Sequence, residues 1–138
     1  MERSLTMRIL LIDDEPVALT KLELMLKKNV GHCDTAANGV SATEQFVNAI
    51  NQNQPYDLVT IDIDLPDVTG LDLLNRFSAL EAKNQIPVSK KIMITAHSHA
   101  DYVIKARSHC DAYLVKPVRK AALLEKISSL FPTANMDA

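Results

Sequence analysis

Residues 57–70 read DLVTIDIDLPDVTG, and the reading of this stretch decides the fold. Leu58, Val59, Thr60 and Ile61 make the kind of short, nearly apolar run found in strands covered on both faces. The run stops at Asp62, and Asp64 follows two residues later. A carboxylate that closes a buried strand must reach either water or a cation, because an unpaired buried charge is costly. Beyond Pro66 and Gly70, the residues Leu71, Leu74, Phe77 and Leu80 recur at helical spacing. The stretch is therefore strand, loop and helix start, with acidic chemistry at the carboxyl end of the strand.

Upstream, residues 8–13 (RILLID) form a similar run that stops at Asp13, Asp14, Glu15 and Pro16. Proline in a first helical turn sacrifices no hydrogen bond, so this too is a strand followed by a helix start. Leu19, Leu22, Met25 and Leu26 carry that helix through residues 17–29, with lysines at the end that suits the helix dipole and Gly31 expected to close it. Residues 33–36 predict a second strand and Asn38-Gly39 a turn. Ala42, Phe46, Val47 and Ile50 then predict a helix ended by the polar run NQNQP at 51–55.

Downstream, the polar segment 81–90 is expected to end the third helix. Residues 92–95 (IMIT) predict a fourth strand, 100–108 a fourth helix and 112–115 (AYLV) a fifth strand, which Lys116-Pro117 breaks. Leu123, Leu124, Ile127, Leu130 and Phe131 mark the last helix. Five strands alternating with five helices predict a doubly wound α/β domain: a parallel sheet, helices on both faces and right-handed crossovers. The domain is expected over residues 8–131, with 1–7 and 132–138 as loose tails.

A chain of 138 residues is about one domain. Its net charge of −2 offers no basic field for a phosphate backbone, so direct nucleic-acid binding is not expected. Residues 1–6 (MERSLT) lack the apolar core of a secretory leader, and no apolar run approaches the length of a membrane span. Cys33 and Cys110 are then expected to be free thiols in a reducing cytoplasm. No effector domain fits in residues 132–138, so the expectation is either a stand-alone domain or a piece of a longer chain.

In open α/β sheets, ligands bind beyond the carboxyl ends of the strands. Asp13 and Asp14 follow strand one, Asp62 ends strand three, Thr95 ends strand four and Lys116 follows strand five. Taken singly all but Asp62 are ordinary: acids after a strand serve as helix caps, a threonine often ends a strand, and most lysines are solvated. Together at one rim they point to function. Clustered carboxylates repel one another, which is relieved by a raised pKa or by a bound cation. Oxygen-only ligands select a hard ion, here Mg²⁺. A carboxylate-held metal beside a lysine and a hydroxyl is equipment for handling a phosphoryl group, with a carboxylate as the attacking oxygen.

With these motifs in order, LLIDDEP, DLVTIDIDLPDVTG, IMITA and YLVKP, the sequence resembles the receiver domain of two-component response regulators over residues 8–131. The resemblance implies a flavodoxin-like sheet in the order 2-1-3-4-5. It implies that Asp62 is phosphorylated by a histidine kinase or phosphotransfer protein. Asp13, Asp14, Asp62 and the backbone carbonyl of Asp64 would hold Mg²⁺, for which Mn²⁺ can substitute. Thr95 and Lys116 would bind phosphoryl oxygens, Thr95 and Tyr113 would act as the switch, and the Lys116-Pro117 bond would be cis. The face made by the fourth helix, fifth strand and fifth helix would control a downstream effector protein or domain, and could support a homodimer. Such a domain is a phosphoacceptor rather than an enzyme in its own right.

Asp64 departs from the apolar or amide residue usual two positions after the acceptor, and His97 stands two after Thr95. Both are expected to tune the lifetime of the acyl phosphate. A haloacid dehalogenase-type phosphatase shares the Asp-x-Asp pattern of Asp62-Ile63-Asp64, but its acidic pair comes last, and none follows Lys116 here. A degenerate receiver used as a binding module is a second alternative. A zinc site from His97, His99, Asp101 and His109 is a third.

Overall fold

A computed structural model of the chain describes residues 7–28, 30–96 and 107–132. Five strands, β1 (Met7–Ile12), β2 (Gly31–Ala36), β3 (Leu58–Asp62), β4 (Lys90–Thr95) and β5 (Ala112–Val115), form one parallel sheet in the order β2-β1-β3-β4-β5. Helices α1 (Pro16–Leu26), α2 (Gly39–Asn51), α3 (Gly70–Asn84) and a C-terminal helix (Lys120–Leu130) complete the described elements. The predicted fourth helix lies almost wholly outside the described residues. Among those residues, no helix is long and apolar enough to cross a membrane.

Side chains alternate across a strand, so each central strand serves two cores. Leu10, Ile12, Val59, Ile61 and Met93 pack with α2 and α3 on one face, where the rings of Phe46 and Phe77 stack at 4.1 Å. Ile9, Leu11, Leu58, Ile92 and Ile94 pack with Leu22 and Leu26 of α1 and with Leu123 and Ile127 of the C-terminal helix on the other. Burial on both faces is why β1 and β3 are almost wholly apolar until their carboxyl ends.

Three local expectations are corrected. Gly31 opens β2 instead of closing a helix: it pairs with Met7, and a Cβ there would lie 2.1 Å from the Met7 carbonyl oxygen. α1 ends earlier, at Leu26. Asn38-Gly39 is a helix start rather than a turn, because the Asn38 side chain accepts the Ser41 N–H at 2.8 Å. The Asp67 carboxylate, from the loop after β3, also takes the N–H groups of Gly39 and Val40 at 2.7 and 3.0 Å.

The polar segment 81–90 is only partly a loop. α3 runs on to Asn84 and β4 begins at Lys90, because Glu81 and Lys91 are buried partners with Nζ to Oε1 at 2.8 Å. Ser89 donates both its N–H and its hydroxyl to Glu81 Oε2, and Lys91 Nζ also reaches the Ser89 carbonyl.

Candidate functional site

Parallel strands deliver their carboxyl ends to one rim. There the Asp13 N–H donates to the Ala36 carbonyl, the Ile63 N–H to Ile94 and the Lys116 N–H to Thr95, which extends the sheet just past its named strands. Gly70 completes the wall: it begins α3 so close to the end of β3 that a Cβ would lie 3.0 Å from both the Asp62 carbonyl oxygen and the Ile63 Cα. Asp64 bridges to Thr69, closing the intervening loop.

Among the described residues, the acidic groups of Asp13, Asp14, Glu15 and Asp62 and the Lys116 ammonium meet at this rim. Asp13 and Asp62 are buried, at 1% and 6% exposure, while Asp14 and Glu15 face solvent. Lys116 Nζ lies 2.8 Å from Asp13 Oδ2, 2.9 Å from Glu15 Oε1 and 3.5 Å from Asp62 Oδ2. The Asp13 contact is one of charge, since Asp13 Oδ2 is buried with no aligned hydrogen-bond donor. Asp13 Oδ1 accepts the Glu15 N–H at 2.9 Å, and Asp62 Oδ1 accepts the Asp64 N–H at 3.3 Å.

These surroundings shift the charges. Burial, and then the negative charge of Asp13, push the Asp62 carboxyl up to about 6 against the pull of Lys116 and the Asp64 N–H. Burial works against the charge of Lys116, yet its contacts with Asp13 and Glu15 and the charge of Asp62 outweigh that and hold it above its ordinary value. The hydrogen bond from Lys116 holds Glu15 below the usual carboxylate range.

The residues fit a hard divalent cation. Asp13, Asp14 and Asp62 each offer a carboxylate oxygen, all within 4.8 Å of one another, and the single Lys116 ammonium beside Asp13 and Asp62 leaves their combined negative charge unbalanced. An all-oxygen set of this size, open to water at Asp14, suits Mg²⁺.

The structure thus brings together Asp13, Asp14, Asp62, Thr95 and Lys116, with Thr95 buried at the end of β4. Asp64 joins them through its backbone, while its side chain is exposed. Tyr113 pairs with Met93 and Val115 with Thr95, so the period-two alternation places Thr95 and Tyr113 on the same face of the sheet. Tyr113 is 36% exposed there. The Lys116-Pro117 bond is cis. His97, His99 and Asp101 lie outside the described residues, and His109 is exposed. Glu15 was not singled out from sequence as a site residue; its place directly after the acidic pair is the signal that could have found it.

A cleft of about 660 Å³ opens beside the rim, lined by Asp14, Lys116 and the apolar side chains of Val17, Leu22, Met25 and Val118.

Comparison with known proteins bears on the family and the fold. Residues 9–128 match the family model of the response regulator receiver domain. The chain is similar to the two-component response regulator ARR12 of Arabidopsis thaliana, at 35% identity over 82% of this chain and 18% of that protein. It is also similar to the cell cycle transcriptional regulator CtrA of Caulobacter vibrioides, at 30% identity over 90% of this chain and 50% of that one. The chain therefore spans between a fifth and a half of these relatives' length. Among solved structures, a receiver domain protein from Clostridium thermocellum superposes with TM-score 0.77 at 26% identity, covering 93% of this chain and 95% of that chain. A CheY-like receiver domain protein from Methanospirillum hungatei gives 0.76 at 29% identity, with coverage of 93% and 95%.

Proposed function

This chain belongs to the response regulator receiver domain family, a family of signalling domains in two-component systems, and from that membership we propose that residues 8–131 act as a phosphoacceptor switch with Asp62 as the acceptor. The observation that carries the proposal is the convergence of Asp13, Asp14, Asp62 and Lys116 on one rim, with Asp62 buried at the end of β3.

In the proposed reaction, a carboxylate oxygen of Asp62 attacks the phosphorus of a phosphohistidine on a histidine kinase or phosphotransfer protein. The O–P bond forms as the P–N bond breaks, and the imidazole leaves. Asp13, Asp14, Asp62 and the Asp64 carbonyl would hold Mg²⁺, or Mn²⁺ in its place, which would neutralise charge on the phosphoryl oxygens. Lys116 pairs with one phosphoryl oxygen, and the Thr95 hydroxyl donates to another.

Phosphorylation adds about −1.5 to −2 charges at Asp62. Thr95 moves towards the new oxygens, and Tyr113, on the same face, turns into the space it leaves. Reversing such an equilibrium from 1:99 to 99:1 takes about 5.5 kcal/mol, within reach of a phosphate held by a cation, an ammonium and a hydroxyl. The altered surface around β5 and the C-terminal helix then controls a downstream effector protein or domain, or a homodimer, in the cytoplasm. Asp64 and His97 set the acyl phosphate lifetime; unchanged loss of phosphate in Asp64→Asn and His97→Ala would remove them from that role.

The test of the main reading is incubation with Mg²⁺ and a small phosphodonor, followed by intact-mass measurement. A phosphoryl adduct on the parent that is missing from Asp62→Ala supports it. An adduct undiminished in Asp62→Ala overturns it.

A further inference from the structure

We propose that Glu15 is a positioning residue that restrains Lys116, and so limits how tightly the site holds a phosphoryl group on Asp62; the inference rests on the phosphoacceptor reading above. Glu15 is the N-cap residue of α1, a position whose side chain ordinarily turns back to accept a helix N–H. Here it makes no cap hydrogen bond. Pro16 at the next position favours an extended Glu15, observed at φ −96° and ψ 114°. From that backbone the side chain accepts a hydrogen bond from Lys116 Nζ at 2.9 Å, joining residues 101 apart in sequence.

The consequence shows in the lysine's distances. Lys116 Nζ sits at 2.8 and 2.9 Å from Asp13 and Glu15 but 3.5 Å from Asp62, beyond a good hydrogen bond. The ammonium is drawn to the α1 side of the rim, away from the acceptor. A phosphoryl group on Asp62 brings new oxygens that compete with Glu15 for the same ammonium. Asp13 is buried and its hold on the lysine is part of the fold, whereas the Glu15 side chain is 65% exposed and can be changed without stranding a buried charge. The backbone N–H of Glu15 still fixes Asp13 in any such variant. An ion pair this open to solvent is worth about a two- to fivefold change in an equilibrium constant.

The experiment measures beryllofluoride affinity at saturating Mg²⁺ by fluorine NMR in the parent, Glu15→Gln and Glu15→Ala, together with melting temperature. Glu15→Ala is expected to bind about two- to fivefold more tightly, and Glu15→Gln, which keeps a neutral acceptor oxygen within reach of Lys116, to fall between it and the parent. Equal gains in both variants would indicate a through-space charge effect and overturn the positioning role. So would affinities at the parent value, or affinities that fall together with melting temperature. A parent that neither binds beryllofluoride nor accepts a phosphoryl group would defeat the phosphoacceptor reading itself, and the inference with it.

Discussion

Among the described residues two lysines, Lys91 and Lys116, pair with carboxylates, and they do so in opposite ways. Lys91 and Glu81 lie where α3 ends and β4 begins, their side chains 3% and 1% exposed. Each charge there is matched: one ammonium, one carboxylate, and Ser89 adding hydrogen bonds through its N–H, hydroxyl and carbonyl. Lys116, at the other end of the sheet, faces three carboxylates at once and has solvent on one side. The first arrangement is balanced and sealed, and the second is oversubscribed and open. The same residue types build a structural pair in one place and a candidate reactive site in the other; satisfaction of the charges separates the two.

The contrast is broken most forcefully at the sealed pair. Removing one partner leaves a buried charge alone, so Glu81→Ala should destabilise the fold by about 3–5 kcal/mol in chemical denaturation, whereas the double variant Glu81→Leu/Lys91→Met should lose far less. If the single and double variants are equally damaging, the pair is not the balanced unit described.

At the open site the sign reverses. Asp62 has its folded pKa raised to about 6 from an ordinary value near 4, so the folded state binds the extra proton. Ionising it therefore costs stability, which is fully present below pH about 4 and lost as pH rises through about 6. Asp62→Asn should stabilise the metal-free protein by about 1–2 kcal/mol at pH 7.5, discounted for the site's access to water, with the gain fading towards pH 4. Denaturation curves at the two pH values check this; a loss of stability at pH 7.5 would show that the cluster is balanced after all.

Asp67 gives a smaller effect of the opposite sign. The N–H groups of Gly39 and Val40 hold its carboxyl below the ordinary value, so its contribution is present above the unfolded pKa and lost as pH falls through the folded one. Asp67→Asn should lower the melting temperature modestly at neutral pH, and the difference from the parent should shrink in acid. Smallest of all should be Tyr113→Ala, which leaves the extent of phosphorylation by a small phosphodonor within about twofold of the parent while weakening the partner's response, as read by binding in the presence and absence of phosphodonor.

The open site was legible in the sequence and the sealed pair was not, for a physical reason. Asp13, Asp14, Asp62, Thr95 and Lys116 each interrupt or follow an apolar run, and a parallel sheet gathers all such interruptions at one rim. Glu81, Ser89 and Lys91 instead sit in a continuously polar segment that looks like solvated loop. Only the packing of α3 against the start of β4 shows that their charges cancel inside. Gly31 and Asn38-Gly39 are ambiguous in sequence for a similar reason: glycine marks close approach as readily as a chain break, and here the Met7 carbonyl and the Val68 side chain, 2.3 Å from a Cβ built at Gly39, impose it. Glu15 reads in sequence as part of an ordinary helix start, and only the fold brings Lys116 to it.

The most direct measurement of the account compares intact masses of the parent, Asp62→Ala and Glu81→Leu/Lys91→Met after incubation with Mg²⁺ and a small phosphodonor. The account predicts a single phosphoryl adduct on the parent and on the double variant, and none on Asp62→Ala. An adduct that survives in Asp62→Ala, or one that requires the Glu81–Lys91 pair, would contradict it.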